Sequence, residues 1–145
     1  MAEDSSSNRP LRLFLCHASD DKPKVQKLYK RLTADGFDVW LDQENLLPGQ
    51  DWKVEIPKAI RASDVILICL SQRSLKKGGY VKREIEFALD IADKLAEDAT
   101  FIIPLRLEEC NFPDRVGDWH GVNLFETRGY DRLMRALQKR AREVG

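Results

Sequence analysis

The stretch GGYVKREIEFALD at residues 78–90 sets an aromatic ring and a carboxylate four positions apart. On a helix Tyr80 and Glu84 then share a face and can approach one ligand together. Val81, Ile85, Ala88, Leu89 and Ala92 recur at helical spacing and form an inward stripe, Lys82, Arg83 and Glu86 point outward, and Glu84 falls on the border. A glutamate near a helix start is favoured by the dipole in any case. Held at the rim of a pocket it can also do chemistry. A preorganised carboxylate stabilises positive charge developing on a sugar ring, while an aromatic neighbour stacks on a base or ring and excludes water.

Such a pair needs a frame to hold it, and the chain supplies one. Apolar β-rich runs at 11–16, 37–41, 64–70, 100–107 and, more weakly, 121–125 alternate with helical patterns at 22–35, 52–62, 80–96 and 129–143. The third and fourth runs are almost continuously apolar, as in strands buried on both faces of a parallel sheet. The alternation implies right-handed crossovers and a flavodoxin-like, doubly wound α/β domain. Its five-stranded parallel sheet is expected in the order 2-1-3-4-5, with helices on both faces. The link at 108–120, with Pro113, Gly117 and Trp119, shows no clear periodicity, so any helix there is short or irregular. No repeat or linker divides the chain: residues 1–10 read as a disordered tail and 11–145 as one domain.

In this fold ligands bind outside the carboxyl ends of the strands, where the strand order reverses. The loops there read HASDD, DQENLLPGQD and SQRSLKKGGY. The first holds no glycine, which excludes a dinucleotide fingerprint, and no phosphate-binding GxxxxGK[ST] occurs. A phospho-receiver domain would use Asp20 and Asp21 but needs an aspartate ending the third strand, where Ser71 stands. Asp20 and Asp21 are therefore expected to cap the following helix. Nucleophilic hydrolysis is poorly served, because no GxSxG elbow appears and Cys16 and Cys69 lie inside apolar runs.

Composition narrows the function further. Lys plus Arg and Asp plus Glu number 24 each, so the chain has no basic footprint for nucleic acid or a membrane surface. The opening MAEDSSSNRP lacks the apolar core of a signal peptide, and no run reaches membrane-spanning length. Cys16, Cys69 and Cys110 show no metal spacing and read as buried, reduced thiols, with no metal site expected. These features point to a cytoplasmic protein.

Three pieces in order, LFLCHASDD, GFDVWLDQENLLPGQDW and ASDVILICLSQRSLKKGGYVKREIEFAL, resemble the Toll/interleukin-1 receptor (TIR) domain in its bacterial form, over about residues 11–140. The segment from Asp42 to Asp51 then resembles the family's BB loop. Pro48 and Gly49 set a bend, Leu46 and Leu47 tip the loop, and Asp51 caps the next helix. Pro57 within that helix implies a kink or a late start.

Some members of the family are scaffolds and others cleave NAD+. Enzymatic members carry a glutamate four residues after an aromatic residue, normally tryptophan, and the match here is Tyr80 and Glu84. The resemblance implies Glu84 as the catalytic carboxylate and substrate contacts at Ala18 and Ser19, with His17 adjacent. It also implies contacts at Leu46 or Leu47, at Asp42 on the same rim, at Tyr80, and at Ser71 toward ribose or phosphate. NAD+ is then a substrate and no cofactor is required. Tyrosine in place of tryptophan leaves hydrolysis, cyclisation and base exchange all open. The family further implies self-assembly with other TIR domains as a homo-oligomer, and a setting in defence or stress signalling. The alternative from another class is a non-catalytic TIR–TIR interaction module, acting as an adaptor or as a mimic of host signalling.

Overall fold

The computed structural model describes residues 10–17, 21–41, 45, 47–72, 80–94, 101–111 and 120–144, giving the backbone alone at Trp52 and at 80–85. The elements run β1 (Arg12–Cys16), α1 (Lys22–Ala34), β2 (Asp38–Trp40), α2 (Trp52–Ala62), β3 (Val65–Leu70), α3 (Tyr80–Ala92), β4 (Ile102–Arg106), β5 (Val122–Asn123) and α4 (Gly129–Val144). All strand pairs are parallel and the sheet order is β2-β1-β3-β4-β5. This is the 2-1-3-4-5 order that the alternation implied.

The strands divide their side chains between two cores because successive residues point to opposite faces. On one face Leu13, Leu15, Val65, Leu67, Cys69, Ile103 and Leu105 pack against Val25, Leu28 and Leu32 of α1 and Tyr130, Leu133 and Leu137 of α4. On the other, Phe14, Cys16, Ile66, Ile68, Leu70 and Ile102 pack against Ile56 and Ile60 of α2 and Ala88 and Leu89 of α3. Every residue of β3 is buried, as a strand covered on both faces must be.

The helix ends follow local rules. Pro23 stands in the first turn of α1, where its missing N–H costs nothing. At the other end the Gly36 N–H donates to the Thr33 carbonyl and the Phe37 N–H to the Leu32 carbonyl. This double closure needs a left-handed residue, and Gly36 has φ +96°. Asp51 caps α2 as expected, its carboxylate accepting the Lys53 N–H at 3.0 Å. The late start suggested by Pro57 does not occur: α2 begins at Trp52 and carries Pro57 as its sixth residue.

One further feature differs from the sequence expectation. The fifth strand is only two residues long instead of five. After the Leu124 N–H joins the Arg106 carbonyl at 2.9 Å, successive turns closed by Asn123 and Glu126 carbonyls carry the chain straight into α4. Where β5 begins explains how Pro104 is tolerated inside a central strand. Backbone groups alternate sides along β4: Phe101 and Leu107 bond toward β3, and Arg106 bonds toward β5. Pro104 shares the Arg106 parity, so its missing N–H falls on the β5 side. The first pair there is Leu105 with Val122, one step further on. The expected tail lies outside the described residues except for Pro10, as do 95–100 and most of the link at 112–119.

Candidate functional site

The strand order reverses between β1 and β3. From β1 the chain passes to α1 on one face, and from β3 it passes to α3 on the other. Ligands of this architecture bind at the carboxyl edge beside that reversal; of the two departing segments, 18–20 and 73–79 lie outside the described residues. His17, directly after β1, is buried. Ser71, directly after β3, is 1% exposed, and its hydroxyl donates to the Asp21 carboxylate at 2.8 Å. Asp21 is itself 4% exposed.

This bond corrects the role expected for Asp21. It precedes α1 at the capping position, yet its side chain makes no capping hydrogen bond. The carboxylate reaches the exit of β3 instead, and the helix start offers it only the field of the dipole. Its charge is felt inside the domain. Burial pushes the Cys69 thiol far up, and the neighbouring Asp21 charge pushes it in the same direction. The Cys110 thiol is raised chiefly by burial, against the lowering effect of Arg106, with Glu108 and Asp21 adding to the rise. All three cysteines are buried and none forms a disulfide.

A second set of bonds runs beside the first. The Glu108 carboxylate, after β4, accepts from Lys24 Nζ of α1 at 2.8 Å and from the Gln72 N–H at 3.3 Å. Gln72 Nε2 donates to the Glu109 carbonyl at 3.1 Å. Arg106, at the end of β4, donates to the Asn123 side chain and to the Cys110 carbonyl, fixing the edge toward β5. The start of α1 and the carboxyl ends of β3 and β4 are thus laced together.

Glu84 is the fifth residue of α3 and Tyr80 the first, so the backbone places them one turn apart at the helix start nearest this edge. Their side chains lie outside the described residues. So do Ala18, Ser19, Asp42 and Leu46. Leu47 is described and is 61% exposed. It opens a turn in which the Gln50 N–H donates to the Leu47 carbonyl, with Pro48 at the second position and Gly49, φ +91°, at the third. Proline pre-sets the first bend and the left-handed residue suits glycine, as a type II turn requires. Gln50 Oε1 also accepts the Leu47 N–H at 2.7 Å, and Asn45 Oδ1 accepts the Leu41 N–H at 3.0 Å, so side chains brace both ends of the loop.

The arrangement offers buried, cross-braced polar groups at the carboxyl edge and a helix start carrying an aromatic residue and a carboxylate. Among the described residues no three His, Cys, Asp or Glu side chains gather as a metal-holding group. No helix among them is long and apolar enough to cross a membrane. Ser71 was expected at a ligand, but its hydroxyl faces Asp21. Sequence reasoning missed this tie, and the one available signal was the doubling of acids at positions 20 and 21 where a single cap suffices.

A doubly wound domain of this topology defines a class shared by signalling and nucleotide-binding proteins. Within it, the family model described as TIR domain matches residues 13–137, and the chain belongs to the TIR family. It is 30% identical over 130 residues to the uncharacterized protein y4cD of Sinorhizobium fredii, covering 88% of this chain and 20% of that protein. It is 35% identical over 75 residues to the NAD(+) hydrolase PdTIR of Paracoccus denitrificans, covering 51% of this chain and 25% of that protein. The chain thus spans a quarter or less of the length of these relatives. Among solved structures, the TIR domain of the Toll-related receptor TRR-2 from Hydra magnipapillata superposes with a TM-score of 0.72 at 17% identity, covering 87% of this chain and 97% of that one.

Proposed function

We propose that this TIR domain is an NAD+ glycohydrolase with Glu84 as its catalytic carboxylate. The observation that carries the reading is the place of Glu84, one turn after Tyr80 at the start of α3, in a chain similar to a bacterial TIR protein named as an NAD(+) hydrolase.

The chemistry suits a single carboxylate. The bond between the ribose anomeric carbon and nicotinamide breaks with its electrons going to the pyridinium nitrogen, so nicotinamide leaves as a neutral molecule and no general acid is needed. Positive charge develops on the ribose, and Glu84 stabilises it. Attack by water, which gives up a proton, yields ADP-ribose; attack by a nucleophilic group of the same molecule, which also gives up a proton, yields a cyclic isomer. Tyr80 stacks on the leaving ring or the base. The wall after β1, at His17, Ala18 and Ser19, and the BB-loop residues Asp42, Leu46 and Leu47 contact the dinucleotide.

The proposal includes assembly of several copies in the cytoplasm, in defence or stress signalling. The exposed apolar side chains of Leu47 and Val54 support the assembly part, because an unpartnered apolar tip is covered when copies meet. That surface also favours the second reading, a TIR–TIR interaction module without catalysis.

The two readings separate in one assay. Concentrated protein is incubated with NAD+, free and clustered on a lipid surface, and nicotinamide is followed by chromatography. Glu84→Gln is expected to lower the rate by on the order of 100-fold or more with unchanged circular dichroism. A wild type that stays inert when clustered, or a Glu84→Gln variant as fast as wild type, refutes the enzymatic reading.

A further inference from the structure

We infer that Asp21 and Ser71 are a positioning pair that clamps the exit of β3 to the start of α1, where the strand order reverses, and thereby holds the start of α3 in place. The kinetic part of this inference rests on the glycohydrolase reading, with Glu84 on α3 as the group being positioned.

Three observations lead to the clamp. First, the bond joins positions fifty residues apart, one at the entry to α1 and one at the exit of β3, so it spans the point where the strand order reverses. Second, both side chains are almost fully buried. Taking a carboxylate out of water costs several kcal/mol unless it is compensated, and packing alone would be better served by an apolar side chain. Third, Asp21 forgoes the local amide hydrogen bonds open to a residue at the capping position.

A second brace makes the direction of the effect specific. Gln72, the residue after Ser71, is tied through its N–H to Glu108, and Glu108 is tied to Lys24 of α1. The exit of β3 is therefore fixed to α1 directly through Asp21 and indirectly through Glu108. The direct tie is the buried one, where water does not compete for the bond and the exchange of one partner for solvent is not available. The Glu108 ties are exposed and contribute less. Removing the buried tie loosens the exit of β3 while leaving both cores in place, because neither side chain belongs to them.

The test compares Ser71→Ala and Asp21→Asn with wild type. Ser71→Ala removes the donor, whereas Asp21→Asn keeps an amide oxygen able to accept the Ser71 hydroxyl. Hydrogen–deuterium exchange is read at residues 80–85 with α4 as the internal standard, and nicotinamide release is measured as kcat and KM. In Ser71→Ala, exchange at 80–85 should rise relative to α4 by on the order of tenfold, and in Asp21→Asn by much less. In an active enzyme kcat should fall by about 10- to 100-fold in Ser71→Ala with KM little changed, and Asp21→Asn should recover most of it, since displacement by about 1 Å carries penalties of that size.

The failures are distinguishable. A wild type that releases no nicotinamide refutes the glycohydrolase reading, and exchange at 80–85 still judges the clamp. Unchanged exchange in Ser71→Ala overturns the clamp in every case. Faster exchange with an unchanged kcat in an active enzyme overturns its positioning role.

Discussion

Gly129→Ala tests whether α4 docks on β5 as tightly as the structure requires. Gly129 is the first residue of α4, and a methyl built on it would stand 2.0 Å from the Asn123 carbonyl oxygen, 2.9 Å from its carbon and 2.9 Å from the Leu124 Cα. All three atoms are backbone, in the turn that ends β5, so no side-chain rotation relieves the contact. The φ of Gly129 is ordinary, which makes the conflict purely steric. Gly36 and Gly49 are the opposite case: each has a positive φ and open space around the position of the missing methyl. Relief at Gly129 must come from a retreat of the α4 start by about 1 Å, the shortfall below the nearest separation that real carbon–oxygen contacts show. The helix cannot retreat freely, because Tyr130, Leu133 and Leu137 anchor it in the core.

Overpacking of this kind costs about 1–3 kcal/mol, and a residue at the helix start gains only part of the ~0.5–1 kcal/mol that alanine brings to a helix interior. A net loss of about 2 kcal/mol follows, and for a chain of this length it lowers the melting temperature by roughly 4–8 °C. Urea unfolding followed by circular dichroism should show a lower midpoint with an unchanged slope. Gly36→Ala should lose about 1–2 kcal/mol by a different route, left-handed backbone strain. A Gly129→Ala midpoint equal to wild type, with Gly36→Ala shifted, would refute the docking argument.

Tyr130→Phe removes a hydroxyl that donates to Asp35 at 2.6 Å, and should cost about 1 kcal/mol near neutral pH. Burial first, and then the bond to Asp35, raise the Tyr130 pKa in the folded state. Its contribution is therefore complete below the unfolded value of about 10 and is lost as pH rises from there toward the folded value. Urea midpoints at about pH 8 and about pH 11 should bring wild type and variant closer together, and a gap that stays constant would contradict the assignment. Leu47→Asp should leave folding within about 0.5 kcal/mol of wild type, since the side chain is 61% exposed, while weakening self-association in sedimentation experiments. Undiminished association would remove the Leu47 loop from the assembly surface.

The sheet was legible in the sequence because each strand carries its own signal. The uninterrupted apolar run of β3 announces burial on both faces, and the helical stripes on α1 and α4 announce which side each must cover. The Pro48-Gly49 turn was equally local, fixed by two residues whose permitted dihedrals leave little choice. The brevity of β5 was not legible, because its end is set by where α4 docks and not by the residues at 124 and 125. Pro104 could be understood only once the register of β4 with the start of β5 was known.

The contrast between Asp51 and Asp21 shows where local reading of the site gave out. Both are acids immediately before a helix, and the same rule assigned both as caps. Asp51 lies on an exposed loop, so the nearest donor available to it is the Lys53 N–H of its own helix. Asp21 is buried at the carboxyl edge of the sheet, where the exit of β3 brings a hydroxyl within 2.8 Å. A buried carboxylate gains more from a donor shielded from water than from a helix-end amide that solvent can satisfy, so the distant partner wins. No window of sequence contains both Asp21 and Ser71, and only the parallel pairing of β1 with β3 makes them neighbours. Residues that tie distant elements together are in general assigned by the topology, whereas Tyr80 and Glu84 fall on one helix as their spacing alone implied.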